Sequence, residues 1–212
     1  MNNNKEIIKA LNYRYAVRIF DPSKKVSTDD LNTILESARL SPSSFGIEAW
    51  KFIVVTNQKI RAKIRVAGYD QPKITEASHL VVIARRTDTE NLSTELVART
   101  AKSQEKDIKQ LDGLKQMLDG AISGKEKGLA LDSWIAEQTY IALGIMIETA
   151  SLLGIDNGPI EGFDPAKVNE ILGLKKKNLS VVTMLTLGYR GDDSYSKLPK
   201  TRRPFDEVVE FI

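Results

Sequence analysis

The chain has 212 residues, 42% of them hydrophobic and 28% charged, a length that suits one domain whose core needs neither disulfides nor a structural metal. It holds no cysteine and one histidine, His79, which excludes disulfide scaffolds, thiolate nucleophiles, zinc clusters, Cys-ligated iron–sulfur centres and multi-His sites, so no metal is expected. The net charge of +3 is too small an excess to indicate nucleic acid. No secretory pattern opens the chain, and the longest strongly apolar run, between Glu137 and Glu148, is far short of the roughly 20 residues that span a bilayer; a cytoplasmic protein with neither membrane nor nucleic-acid partners is expected.

Residues 4–12 read as a helix. A second is better marked: Ser27 as N-cap, Asp30 three residues on, then Leu31, Ile34, Leu35 and Ala38 at core-facing spacing. Ser41-Pro42-Ser43-Ser44-Phe45-Gly46 breaks it. The β-branched, apolar run Trp50–Thr56 predicts a buried strand, with Trp50 as a core residue at its start, and His79–Ala84 and Val181–Leu187 predict two more. His79 itself reads as a core histidine satisfied by backbone. Between these strands, residues 92–119 are polar and mostly helical, with Ile108, Leu111, Leu114, Met117 and Leu118 as an apolar stripe. Residues 132–153 are apolar almost all round, and a helix hydrophobic on every side must be buried on every side. In a chain this size the plainest burial is between a sheet and a partner subunit, so a homodimer is expected. Asp164-Pro165 then starts a short helix as acidic N-cap and proline at the first position. No linker or repeat divides residues 1–212, and few strands among many helices predict a single α+β layered domain.

Two phosphate-binding signatures are missing. No two of the 13 glycines stand two residues apart, so the G-x-G-x-x-G fingerprint cannot occur. Gly120-Ala121-Ile122-Ser123-Gly124-Lys125 is one residue short of a phosphate loop and is followed by Glu126 where Ser or Thr belongs.

Five segments do recur in order: Arg14-Tyr15-Ala16-Val17-Arg18-Ile19-Phe20; Ser41-Pro42-Ser43-Ser44-Phe45-Gly46 leading to Trp50-Lys51-Phe52; Gln71-Pro72-Lys73 leading to Ala77-Ser78-His79; Gly158-Pro159-Ile160-Glu161-Gly162-Phe163; and Leu198-Pro199-Lys200-Thr201-Arg202. Together, from about residue 8 to about residue 204, they resemble the nitroreductase family of FMN-dependent NAD(P)H oxidoreductases. The resemblance implies a layered sandwich with a central mixed sheet flanked by helices, in an intertwined homodimer. Arg14, Lys200 and Arg202 match the family's phosphate-binding positions, where charge-assisted bonds suit a dianion. Tyr15, Ala16 and Ser43 match positions along the phosphate and ribityl chain. Arg18 and Lys73 match positions at the pyrimidine edge, where a cation favours the reduced flavin; Asp70 and Gln71 stand beside them. Pro159, Ile160, Glu161 and Gly162 match the backbone that lies against flavin N5 and O4, with Glu161 beside the reacting atom. This segment reads as a strand ending in Gly-Pro, with Gly162 allowing close backbone approach. Phe45 and Gly46 match the substrate side, and Met117 and Leu118, on a stretch covering the site from the same or the partner subunit, supply apolar contacts. Ala16 stands where many relatives have Ser, and Glu48-Ala49 replaces a usual Gln-Pro.

The implied chemistry is ping-pong: hydride from NADH or NADPH to flavin N5, then to a nitroaromatic, quinone or similar small-molecule acceptor. Other readings of the same scaffold are dihydropteridine reduction, dehalogenation, flavin destruction, or a non-catalytic flavin-binding or storage dimer. A helical interaction protein without cofactor leaves the basic motif residues unexplained.

Overall fold

The computed structural model describes residues 3–124 and 129–212; Lys125 and Glu126, which close the near-miss phosphate loop, lie outside the described residues. Helix α1 (Asn3–Tyr13) leads to α2 (Thr28–Arg39), whose first turn is capped by Ser27 Oγ accepting from Asp30 N at 3.0 Å. Then come β1 (Trp50–Val54), α3 (Gln58–Ala67), the one-turn α4 (Lys73–Glu76) and β2 (His79–Arg86). Helices α5 (Leu92–Ser103), α6 (Asp112–Ser123) and the long α7 (Leu129–Leu152) precede β3 (Asp156–Ile160), α8 (Pro165–Leu172) and β4 (Leu179–Gly188). The Asp164 side chain caps α8 as its sequence predicts, and Gly173 ends that helix at φ 61°.

The sheet has the order β1-β2-β4-β3. Its four strands pair antiparallel throughout, and the parallel pairing that a mixed sheet requires is confined to an isolated bridge between Ala16 and Asn157. In β2 the side chains of Leu80, Val82 and Ala84 point to one face and those of Val81 and Ile83 to the other, and all five are buried. Both faces are therefore covered. On the first, α3, α4 and α8 contribute Ile64, Ile74 and Val168. On the second, α2 and α7 contribute Ile34, Ala38, Ala142 and Met146. A third cluster lies off the sheet, where Leu92, Leu96, Leu111, Leu118 and Ile135 pack on Ile47 and Ala49.

Three expectations change. Strand β3 is not an apolar run and does not end at Gly-Pro: it continues through Pro159 to Ile160. It tolerates proline because it is an edge strand, where a missing N–H costs no ladder bond. The stripe on residues 108–118 is split by packing: Leu118 is 0% exposed and belongs to the third cluster, whereas Met117 is 52% exposed and Ile108 also faces outward. Leu118 is thus a core residue and cannot contact a ligand. His79 meets a side chain, with its Nδ1 3.1 Å from Ser78 Oγ. Burial first, then Arg61 and Lys25, lower its pKa and keep the ring neutral at pH 7.

The uniformly apolar α7 is only partly covered by its own chain. Ile141 and Leu152 on α7 stay exposed, as do Ile8 and Leu11 on α1, which packs beside it. Phe205, Val208, Phe211 and Ile212 at the end of the chain are exposed too. No described helix is long and apolar enough to cross a membrane.

A Cβ at Gly158 would stand 2.8 Å from the Val17 carbonyl oxygen and 2.8 Å from Thr186 Oγ1, so Gly158→Ala is expected to cost about 2–3 kcal/mol, measured as a lowered urea midpoint. Leu118→Ala should cost about 2–5 kcal/mol, while Met117→Ala should stay within about 0.5 kcal/mol of the parent in the same titration.

Candidate functional site

The first residues after α1 run along the outer edge of β3. Val17 N donates to Asn157 O at 3.1 Å, next to the Ala16–Asn157 bridge. Arg18 follows, its amide donating to Asp193 Oδ2 at 2.8 Å and its guanidinium stacked 3.5 Å above the Tyr195 ring. Burial opposes charge on Asp193, but the amides of Arg18, Tyr195 and Ile19 outweigh it and hold the carboxyl below its usual range. Tyr15 is used for packing: its half-buried ring joins Val17, Phe20 and Ala77, and Arg190 lies 4.6 Å from its centroid. Burial, then Asp193, push its phenol pKa up.

Facing this segment is an open cleft of about 430 Å³ lined by Ala16, Arg18, Gln71, Pro72 and Lys73. Lys73 is only 8% exposed. Its Nζ donates to Pro159 O at 3.3 Å, and burial, then Arg18, lower its pKa. Gln71 Nε2 donates to Gly162 O at 2.7 Å and to Gly68 O at 2.9 Å. Asp70 turns away, pairing with Arg65 at 2.7 Å.

The backbone from Gly158 to Gly162 has every carbonyl occupied. Thr186 Oγ1 donates to Gly158 O, Lys73 to Pro159 O, Thr183 Oγ1 to Ile160 O, Phe163 N to Glu161 O and Gln71 to Gly162 O. Among the described residues, nothing accepts from the amides of Glu161 and Gly162. Strand groups alternate in direction. Asn157 and Pro159 turn their carbonyls to the outer edge, so the Glu161 amide, two residues further on, faces that edge as well. The Glu161 carboxylate is turned the other way in its bonding: Tyr140 on α7 donates its hydroxyl to Oε1 at 2.6 Å. Burial, then Glu161, push the Tyr140 pKa up to about 12. The Ile160 side chain is in the core. Within the chain the tight contact is at Gly158, whereas a Cβ on Gly162 would meet nothing nearer than Gln71 Nε2 at 3.6 Å.

A second cationic group joins the two ends of the chain. Lys200 Nζ donates to Asn12 O at 2.9 Å and to Leu11 O, capping the end of α1. Burial, then Arg14, Arg202 and Arg190, lower the Lys200 pKa; burial, then Arg202, lower that of Arg14. Among the described residues, no carboxylate pairs with Arg14, Arg18, Lys73, Lys200 or Arg202. Arg190, by contrast, is neutralised by Asp156, with Nε donating to Oδ1 at 2.9 Å. Arg18 and Lys73 line the cleft, while Arg14, Lys200 and Arg202 form a second group of cations, and donors of this kind suit an anion.

Ser43, Phe45, Gly46 and Met117 do not line this cleft. Ser43 Oγ accepts from Glu48 N at 3.0 Å, and Gln138 Oε1 on α7 accepts from Ser44 N at 3.0 Å. That loop is strained, with Phe45 at φ 56° and Glu48 at φ 50°. Sequence reasoning missed Asp193, Tyr195, Tyr140 and Tyr69. Tyr69 sits at φ 53°, 70% exposed, its ring 3.9 Å from where a Gly162 Cβ would be.

The family model described as "Nitroreductase family" matches residues 11–189. A Staphylococcus aureus protein bearing the provisional name NAD(P)H nitroreductase is 36% identical over 219 residues, covering 100% of this chain and 97% of its own length. A Bacillus subtilis structure provisionally named a nitroreductase superposes with TM-score 0.86 at 21% identity, over 99% of this chain and 100% of that one. An Exiguobacterium sibiricum structure, provisionally named a nitroreductase and solved in complex with FMN, gives 0.82 at 20% identity, over 97% of each chain. With a family model matched over residues 11–189 and a relative 36% identical along the whole chain, this chain belongs to the nitroreductase family.

Proposed function

We propose that the chain is an FMN-dependent NAD(P)H oxidoreductase working as a homodimer on nitroaromatic, quinone or similar acceptors. The observation that carries this reading is two groups of cations without carboxylate partners among the described residues, Arg18 with Lys73 and Arg14 with Lys200 and Arg202, together with the two amides without acceptors. The donor set fits FMN. Arg14, Lys200 and Arg202 would hold the phosphate, since forked and point-charge donors with no internal carboxylate are matched by a dianion. Arg18 and Lys73 would lie at the electron-rich edge of the ring, where their charge favours the reduced state. The amides of Glu161 and Gly162 would face the ring atoms that gain charge. Bound FMN supplies the chemistry, accepting hydride from NADH or NADPH and passing electrons to the acceptor.

The chain's own residues position and bias. Lys73 and Gln71 tie down the carbonyls of Pro159 and Gly162, so the amides between them are fixed before a ligand arrives. Tyr140 stays protonated and holds the Glu161 carboxylate from the far side. The exposed apolar surface of α1, α7 and the final residues supports a partner copy there. That copy would bring its own Phe45, Gly46 and Met117, which do not line the cleft of one chain, to the acceptor side, with Ser43 on the same loop.

The test is anaerobic addition of NADH and of NADPH to the purified yellow protein. Bleaching of the visible flavin band within seconds by either supports the oxidoreductase; a yellow protein that neither bleaches shifts the reading to flavin storage, and failure to bind added FMN overturns both. The pH profile of FMN affinity is a second check. Lys73 and Lys200 must be protonated to hold the anion, and both hold protons less tightly than an ordinary lysine. Their free-protein pKa values lie below those of the bound form, so affinity is lost as pH rises through them. Fluorescence titration should show the dissociation constant rising already below the ordinary lysine value of about 10.4; a constant affinity to that pH contradicts the assignment.

A further inference from the structure

Arg61, on α3, is 1% exposed and is the largest fully buried side chain to carry a charge. Its guanidinium makes no ion pair among the described residues. All three of its nitrogens instead donate to backbone carbonyls of one short segment: Nε to Ile74 O at 2.7 Å, Nη2 to Ala77 O at 2.6 Å and Nη1 to Ser78 O at 3.3 Å. Burial is the cause that lowers its pKa. A buried cation without a counter-ion is costly, and the three hydrogen bonds, one from each nitrogen, offset part of that cost.

The segment it grips is α4 and its exit into β2. Helix α4 is a single turn, too short to hold its own conformation, and no side chain caps its start at Pro72. Its first residue is Lys73. The carbonyls at its C-terminal end and just beyond, which a longer helix would leave to a cap, are the ones Arg61 takes. The planar fork fixes their relative orientation, which a lysine, with one point charge, cannot reproduce.

We propose that Arg61 is the positioning residue for Lys73: by clamping residues 74–78 it holds the one-turn helix at the angle that sets the Lys73 ammonium against Pro159 O, beside the open amides. This rests on the FMN reading only for its ligand; the clamp itself is a statement about the chain. It predicts that Arg61 influences the flavin through Lys73 and not through stability at large.

The experiment is a double-mutant cycle with Arg61→Lys and Lys73→Met in the full chain, reading the FMN dissociation constant and the midpoint potential of the bound flavin. Each single variant is expected to weaken FMN about tenfold, in the range of a lost charge-assisted hydrogen bond, and to shift the potential in the same direction. The double variant should match Lys73→Met within about twofold, because residues acting on one another are non-additive. A double variant weakened about a hundredfold, the product of the singles, or an Arg61→Lys potential equal to the parent's, overturns the proposal. Hydrogen exchange of the parent without FMN gives a second reading if Arg61→Lys does not fold. The amides of residues 74–79 should exchange far more slowly than those of residues 201–203, which are exposed and outside any helix or strand, and equal rates overturn the clamp. Absence of FMN binding by the parent overturns the flavin reading while leaving the exchange result to decide the clamp.

Discussion

The site depends on one close backbone approach, that of residues 16–18 to the outer edge of β3. Val17 N bonds to Asn157 O, and Gly158 lets the two segments meet because a side chain there would collide with the Val17 carbonyl. From this contact the rest follows in register. Arg18 is carried past the edge onto the Tyr195 ring, with its amide on the Asp193 carboxylate. Arg14 is left at the end of α1, where Lys200 and Arg202 arrive from the other terminus. An edge strand has an unpaired row of amides and carbonyls, which proteins ordinarily cover or blunt. Here the row is half covered, by Val17 and by Lys73, and the uncovered remainder is the Glu161–Gly162 pair.

Charge is distributed to keep that edge positive. Three acids on or beside it are occupied locally: Asp156 by Arg190, Asp193 by the amides of residues 18, 19 and 195, and Glu161 by the Tyr140 hydroxyl. None of them is free to neutralise Arg14, Arg18 or Lys73. Burial first, then neighbouring cations, lower the pKa of Lys73, Arg14 and Lys200, and a bound anion would oppose that shift. Binding of any such ligand to the folded state alone raises its stability in proportion to the logarithm of ligand concentration over Kd.

Much of this was legible because it is local. Ser27 before α2 and Asp164-Pro165 before α8 declare helix starts through bonds spanning three residues. The apolar strands β1, β2 and β4 declare themselves through runs of Val, Ile and Leu. Strand β3 does not, since Asp156-Asn157-Gly158-Pro159 is turn chemistry by composition and becomes a strand only because Leu187, Thr186 and Leu185 lie opposite. The motif residues Arg14, Arg18, Lys73, Lys200 and Arg202 were legible as cations, whereas Leu118, expected over the flavin, is a core residue. Asp193 joins residues 174 and 175 positions away, and Tyr140 reaches Glu161 across the rest of a helix and a strand; neither separation leaves a trace in spacing.

The same logic explains why one chain shows only half of what its sequence promises. Helix α7 is strongly apolar, yet Ile141 and Leu152 face outward, while two of its polar members, Gln138 and Tyr140, are spent on the loop at Ser44 and on Glu161. A helix that pins two segments in this way and leaves aliphatic side chains bare has surface to bury against another body. If that body is a second copy, the 43–48 loop and the β3 end are rigidly tied to the interface helix, and the geometry of the open amides is set by the same packing that holds the two copies together. A positive edge with fixed donors then needs no mobile catalytic side chain, which is consistent with a chain that has no cysteine and whose lone histidine is kept neutral at the start of a core strand.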